Sequence, residues 1–258
     1  MVDVVTRPPG AGPAGARTIS TTQVQLARHV VNDIAVHQAV GVIYGMAGLG
    51  KTFAVRTTVA ALPPVGKRKV PVCAISFPSR PTMRLVADLL LQELSGHQPS
   101  RNNNRFTLTG ALVKELARQP RLLVVDEAQR LSEECIDLLR YLHDHDETRF
   151  GLLYVGGNGC WEVLKSQPML RSRIWRRQEF TALPPDEVPT VMRGYHPMYA
   201  DADDDLLSYV DERFAHGIWR NWALFSSTAA LLAQRTGRTR IDMEIVNNTF
   251  ALHGGDDG

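Results

Sequence analysis

GMAGLGKT, Gly45 to Thr52, decides how the rest of the chain is read. It matches the phosphate-loop pattern G-x-x-x-x-G-K-[ST] at every position. Gly45, Gly48 and Gly50 permit a backbone tight enough for successive N–H groups to point at one anion. Lys51 places a mobile positive charge on the outer phosphates, and the Thr52 hydroxyl can ligate a Mg²⁺ that bridges them. The candidate cradle for a phosphate-bearing nucleotide is therefore Gly45, Gly48, Leu49, Gly50, Lys51, Thr52 and Phe53. Upstream lies AVGVIY, Ala39 to Tyr44, an apolar run that reads as a buried strand. Downstream, Thr52 to Leu62 carries Phe53, Val55, Val59 and Leu62 at roughly helical spacing. Strand, glycine loop and helix is the context the motif requires, and the helix N-terminus adds its own positive end.

A second signal is LLVVDE, Leu122 to Glu127. Four apolar residues predict a buried strand with two carboxylates emerging at its C-terminal end. Ligands of open parallel sheets bind at that edge. Asp126 fits a magnesium site, reached through water, and Glu127 fits the base or orienter of an attacking water. A strand end with two solvated acids would look the same on its own; the phosphate loop upstream favours the catalytic reading.

Outward from these motifs, the chain alternates strands and helices. Ser20 and Thr21 look like caps for a helix over Thr22 to Gln38. Further strands are predicted at Val70 to Phe77, Arg121 to Val125, Phe150 to Gly157 and, more weakly, Arg176 to Phe180. Between them, Pro81 to Gly96 reads as a helix with Pro near its start and Gly at its end. His97 to Arg105 reads as a polar loop and Leu108 to Gln119 as a helix. Ser132 caps another helix whose first turn carries Glu133 and Glu134. The order predicts an α/β fold with a parallel sheet covered on both faces. After Pro185 only helices are expected, at Asp186 to Arg193, Asp203 to Phe214, Ile218 to Gln234 and Asp242 to Leu252. The expected organisation is a disordered leader over residues 1–17, an α/β core over 18–183 and a small helical domain over 184–258.

Composition narrows the class. The chain has 258 residues, 44% apolar and 22% charged, with a net charge of +2. These are ordinary values for a globular protein, so any nucleic-acid contact must come from a local basic patch. Cys73, Cys135 and Cys160 are widely spaced and form no C-x-x-C, which points to buried free thiols in a reducing compartment. No run is long enough to span a bilayer and the first residues lack an apolar signal core. A cytoplasmic protein without membrane contact is expected.

The order of these parts resembles the AAA+ ATPases, and the resemblance implies further roles. The family places a polar sensor at the end of the fourth strand, which here is Asn158 in GGNG, although turn chemistry alone would also explain that residue. It places an arginine finger before the fifth strand. Arg173 fits best and Arg171 second, each to be delivered to a neighbouring subunit's phosphates. HGIWRNW, His216 to Trp222, is similar to the lid sensor G-x-x-R, with Gly217 and Arg220; Trp219 and Trp222 are expected in the lid core.

Within that family, DEAQRLS, VIYGMAGLGKT and GNG followed by LRSRI resemble the DNA-transposition regulators of the TniB, TnsC and MuB type, over about Thr18 to Leu252. The resemblance implies an ATPase that assembles as a ring or helical filament on double-stranded DNA and recruits a transposase. Helicase loaders and replication initiators share the same core and are the alternative. In this architecture the segment between the second and third strands faces the DNA, which makes Arg80, Arg84, Arg101, Arg105 and Lys114 candidate backbone contacts. Lys67, Arg68 and Lys69 form another basic run.

Overall fold

Five strands, four of them apolar runs, pair into one parallel sheet in the structure, a computed structural model that describes residues 13–64, 69–77, 79–96 and 104–254. In chain order its core elements are α1 (Thr22–His37), β1 (Val40–Gly45), α2 (Lys51–Ala60), β2 (Val72–Ser76), α3 (Met83–Ser95) and α4 (Arg105–Ala117). There follow β3 (Arg121–Asp126), α5 (Glu133–Asp144), β4 (Phe150–Gly156), α6 (Cys160–Lys165), α7 (Pro168–Arg171) and β5 (Ile174–Phe180). The strand order is β2-β3-β4-β1-β5. This is the expected parallel sheet flanked by helices.

The order matters more than the strand count. The chain leaves β1, crosses over β4 and β3 to form β2, and then returns, so β4 is inserted between β3 and β1. Tyr44 pairs with Gly156, Val125 with Tyr154, and Ser76 with Asp126. The carboxyl ends of β1, β4 and β3 therefore finish side by side. This is the edge at which open parallel sheets bind ligands.

The burial of each element follows its sequence. β4 is buried along its whole length, as a central parallel strand should be. β5 lies at the sheet edge and alternates instead, with Trp175, Arg177 and Glu179 exposed and Gln178 and Phe180 buried. Below the sheet, Val86, Leu90, Leu112, Leu116, Leu139 and Leu142 from α3, α4 and α5 pack on strand residues Val125, Leu152 and Tyr154.

Helix ends are set by local chemistry. The Thr82 hydroxyl accepts from Leu85 N–H at 3.2 Å to start α3, and Gly96 ends it with φ of 73°. α4 starts at Arg105, three residues before the position expected from its apolar spacing. The Asn104 side chain accepts from Thr107 N–H at 2.9 Å and opens the helix ahead of its first buried residue, Leu108. β5 likewise starts two residues early, at Ile174, where it pairs with Val40.

The chain divides into two compact units. The first comprises Thr22–Ala47 and Lys51–Phe180; the second runs from Thr181 onward and includes the segment before Thr22 and the tripeptide Gly48–Gly50. The second unit contains α8 (Val188–Tyr195), α9 (Asp204–Val210), α10 (Trp219–Arg235) and α11 (Met243–Leu252). Its core includes Trp222, Phe225, Tyr199, Leu207 and Val246. Trp219 packs at the edge of that core against the Tyr195 ring.

The helix expected to run to Phe214 instead ends at Val210 and continues as a wider turn, Asp211–Ala215. Asp211 explains the change. It is buried, and its Oδ1 accepts from Gly217 N–H at 2.7 Å and from Trp222 Nε1–H at 2.9 Å. Gly217 is required here: its φ is 69°, and a Cβ would stand 2.4 Å from the Leu183 carbonyl oxygen.

The expected leader ended at Arg17, but its last residues are anchored in this unit. Arg17 N–H donates to the Tyr195 carbonyl at 2.7 Å, and His196 Nε2 lies 2.8 Å from the Ala14 carbonyl. Residues 1–12 lie outside the described residues.

Candidate nucleotide site

The loop after β1 has the backbone that its glycines were expected to allow. Gly48 and Gly50 sit at φ of 86° and 88°, in the left-handed region, and α2 begins at Lys51 directly after them. Lys51 is only 7% exposed. Its ammonium donates to the carbonyls of Gly45 at 2.8 Å and Met46 at 2.6 Å. The charge is thereby held over the loop rather than released to solvent. Leu49, within the loop, is buried, whereas Phe53 is exposed on α2.

Folding joins this loop to the end of β3. Thr52 Oγ1 donates to Asp126 Oδ2 at 3.1 Å, across 74 residues of sequence. The other carboxylate oxygen of Asp126 accepts from Glu127 N–H at 2.9 Å. A hydroxyl and a carboxylate set side by side at a phosphate loop suit a Mg²⁺, which takes few protein oxygens and fills its octahedron with water and phosphate oxygens. Among the described residues no group of three or more His, Cys, Asp or Glu side chains could hold a metal ion alone. The donor set thus fits Mg²⁺ bound together with a phosphate-bearing ligand.

Glu127 follows Asp126 with φ of 59° and ψ of 36°, an uncommon conformation for a residue with a side chain. Its Oε2 accepts from Gln129 Nε2 at 2.7 Å and lies 3.4 Å from Arg130 Nε. Arg130 also donates to the Phe77 carbonyl beyond β2, at 2.9 Å. Gln129 and Arg130 had no assigned role in the sequence; their tie to Glu127 is visible only once the fold is known.

Asn158 is exposed in the turn between β4 and α6, beside the β3 and β1 ends. Behind this turn Cys160 is fully buried, and its thiol is pushed up to about 12 chiefly by desolvation, against a smaller lowering by Lys51. Cys73, Cys135 and Cys160 are all buried free thiols, as expected.

The two candidate finger arginines differ. Arg173 Nε donates to Asp144 Oδ1 at 2.6 Å, and its guanidinium also donates to the Met169 carbonyl at 2.6 Å. Arg171 ends α7 and is exposed. Within the second unit, Arg220 is exposed in the first turn of α10 and its backbone N–H donates to the Gly48 carbonyl at 3.0 Å.

The candidate DNA-contacting residues do not form one stripe. Arg80 is exposed before α3, and Arg84 pairs with Asp88 at 3.4 Å. Arg105 and Lys114 are both exposed on α4, but nine residues on a 3.6-residue helix place them on opposite sides. Phe106, passed over in the sequence, is 86% exposed beside Arg105. Arg101, Lys67 and Arg68 lie outside the described residues.

The site is thus a glycine loop, a lysine, and a pairing of Thr52 in the first turn of α2 with Asp126 at the end of β3. The AAA domain model matches residues 34–164, half of the chain, and spans all of these groups. The chain belongs to the AAA domain family. No curated protein matches it.

Solved structures with the same AAA+ fold include Cdc6p from Pyrobaculum aerophilum, with a TM-score of 0.74 and 19% identity over 95% of this chain and 69% of that one. The Aeropyrum pernix ORC1 protein, solved in complex with DNA, gives 0.66 and 19% over 92% and 66%. The Thermotoga maritima RuvB Holliday junction branch migration motor gives 0.61 and 17% over 91% and 70%. At these identities the likeness is one of fold.

Proposed function

We propose that this AAA protein is an ATP-dependent, DNA-binding ATPase that assembles on target DNA and recruits a transposase, in the manner of the TniB, TnsC and MuB type. The observation that carries the ATPase reading is the Thr52–Asp126 contact at 3.1 Å, with Lys51 over the loop and Glu127 next in the chain. Backbone N–H groups of Gly48 to Thr52 and the Lys51 ammonium bind the phosphates. Thr52 and Asp126 would hold Mg²⁺, which would supply positive charge to offset that of the phosphate oxygens. Glu127 orients a water and takes its proton, and Asn158 hydrogen-bonds that water or the terminal phosphate. The Aeropyrum pernix ORC2 protein, which shares the fold, was solved in ADPNP and ADP complexes. That supports adenine nucleotide as the ligand here.

Hydrolysis is completed by an arginine from an adjacent copy. Arg173 is committed to Asp144 within its own subunit, which favours Arg171 as that finger. Residues 18–183 serve as the nucleotide core and 184–258 as a lid carrying Arg220. DNA is met through its phosphate backbone by Arg80, Arg84 and Arg105, with Arg101 between them in sequence; Lys114, on the opposite side of α4 from Arg105, stands outside that contact. Among the described residues no helix is long and apolar enough to cross a membrane, and the buried free thiols suit a cytoplasmic location.

The fold shared with Cdc6p, and with the ORC1 protein solved in complex with DNA, supports a second reading, a replication-initiator or helicase-loading ATPase. The test is assembly on duplex DNA followed by partner capture. ATP with Glu127→Gln should give stable assemblies without sequence preference, and a transposase should copurify. Capture of a helicase instead would select the second reading. No DNA binding with a non-hydrolysable ATP analogue would refute both.

A further inference from the structure

Gln129 bridges two parts of the site that no sequence pattern connects. One end of its amide, Nε2, donates to Glu127 Oε2 at 2.7 Å; the other, Oε1, accepts from Gly157 N–H at 2.8 Å. The partners fix the orientation of the amide. A backbone N–H can only donate and a carboxylate can only accept, so a side chain with one donor and one acceptor at opposite edges is needed between them.

The glycines after β4 are shaped to this bridge. A Cβ at Gly156 would lie 2.7 Å from Gln129 Oε1 and 2.4 Å from Cys160 Sγ. A Cβ at Gly157 would stand 3.2 Å from Gln129 Nε2. The double glycine lets the amide reach the backbone, and the residue that follows it is Asn158. Glu127 itself sits in a left-handed conformation that needs outside restraint to persist.

We propose that Gln129 is a positioning residue for hydrolysis. It holds the Glu127 carboxylate in register with the β4 turn, so that a displacement of Asn158 by the terminal phosphate is transmitted through Gly157 to Glu127. This rests on the ATPase reading of the site, with Glu127 as the group that handles the attacking water.

The test compares Gln129→Ala and Gln129→Glu with the unsubstituted full chain, alone and combined with Glu127→Gln. ATP affinity, turnover and melting temperature are measured for each. Loss of one charge-assisted hydrogen bond should lower turnover about tenfold in Gln129→Ala, with ATP affinity within about twofold. Gln129→Glu sets a carboxylate against a carboxylate and should be slower still. In the Glu127→Gln background, Gln129→Ala should cause no further loss, because both changes act through one group. Thermal melts identify any variant whose loss comes from unfolding, and Gln129→Glu, which keeps the side-chain shape, then decides the matter. Turnover that Glu127→Gln slows but both Gln129 variants spare would overturn the proposal alone. So would an independent, multiplicative loss in the double variant. Absence of turnover in the unsubstituted chain would overturn the ATPase reading and this proposal with it.

Discussion

Replacing Lys51 with alanine removes the charge held over the loop, and its cost can be worked from the contacts that charge makes. In the structure the ammonium's contacts include hydrogen bonds to two carbonyls, at 2.8 and 2.6 Å. Binding a phosphate means exchanging these for a contact between unit charges, worth roughly 4 kcal/mol at about 4 Å in an effective dielectric of about 20. The two surrendered bonds offset about 1 kcal/mol each. The net gain is about 2 kcal/mol, or roughly 30-fold in affinity. Lys51→Ala should therefore weaken ATP binding by at least that factor.

The same substitution should hardly affect folding. Gly45 is half-buried and Met46 exposed, so water can replace the lost donor. The melting temperature should move by less than about 3 °C. The assay is a titration with fluorescent ATP analogue, run beside a thermal melt. Affinity within about threefold of the original would refute the electrostatic argument. A collapsed melting temperature would instead show that Lys51 is a structural ion, and the assignment of the loop would lose its support.

Other substitutions test separate parts of the account. Asp211→Ala leaves the Gly217 and Trp222 donors without their buried acceptor. It should cost about 3 kcal/mol and lower the melting temperature by roughly 6–12 °C; a shift under about 2 °C would mean the turn is held elsewhere. Arg171→Ala should reduce turnover of the assembled protein about a thousandfold while sparing ATP binding, with Arg173→Ala affecting mainly stability; the reverse pattern makes Arg173 the finger despite its tie to Asp144. Alkaline pH probes the buried thiols. Burial pushes Cys73 and Cys160 up to about 12 from 9.0. Above pH 9 the unfolded chain sheds these protons and the native chain keeps them, so stability should fall by about 1.4 kcal/mol per pH unit for each thiol. Urea midpoints at pH 8 and pH 10, compared with a Cys73→Ala, Cys160→Ala variant, measure that share; equal slopes in both proteins would contradict it.

What the sequence disclosed was local, and what it concealed depended on strand order. The glycine loop and the apolar run ending in Asp126 and Glu127 carry their chemistry in adjacent residues, so both were legible. The short helices α6 and α7 span six and four residues and show no usable period. The early start of α4 turned on a single capping asparagine. Gln129 gave no signal because its partner Gly157 comes 28 residues later, and meets it only since β4 is inserted between β3 and β1. Asp211 gave no signal for a related reason: within DERF it looks like any solvated helix acid, and only the approach of Gly217 and Trp222 gives it buried partners. The basic residues between β2 and β3 invited a stripe, and the phase of α4 separates Arg105 from Lys114.

Isothermal titration calorimetry of the unsubstituted chain with ATP, in the presence and absence of magnesium, addresses the central claim most directly. The account predicts one ATP bound per chain, tighter with magnesium, with the metal's contribution lost when Asp126 is replaced by alanine. An absence of ATP uptake with magnesium present would contradict it.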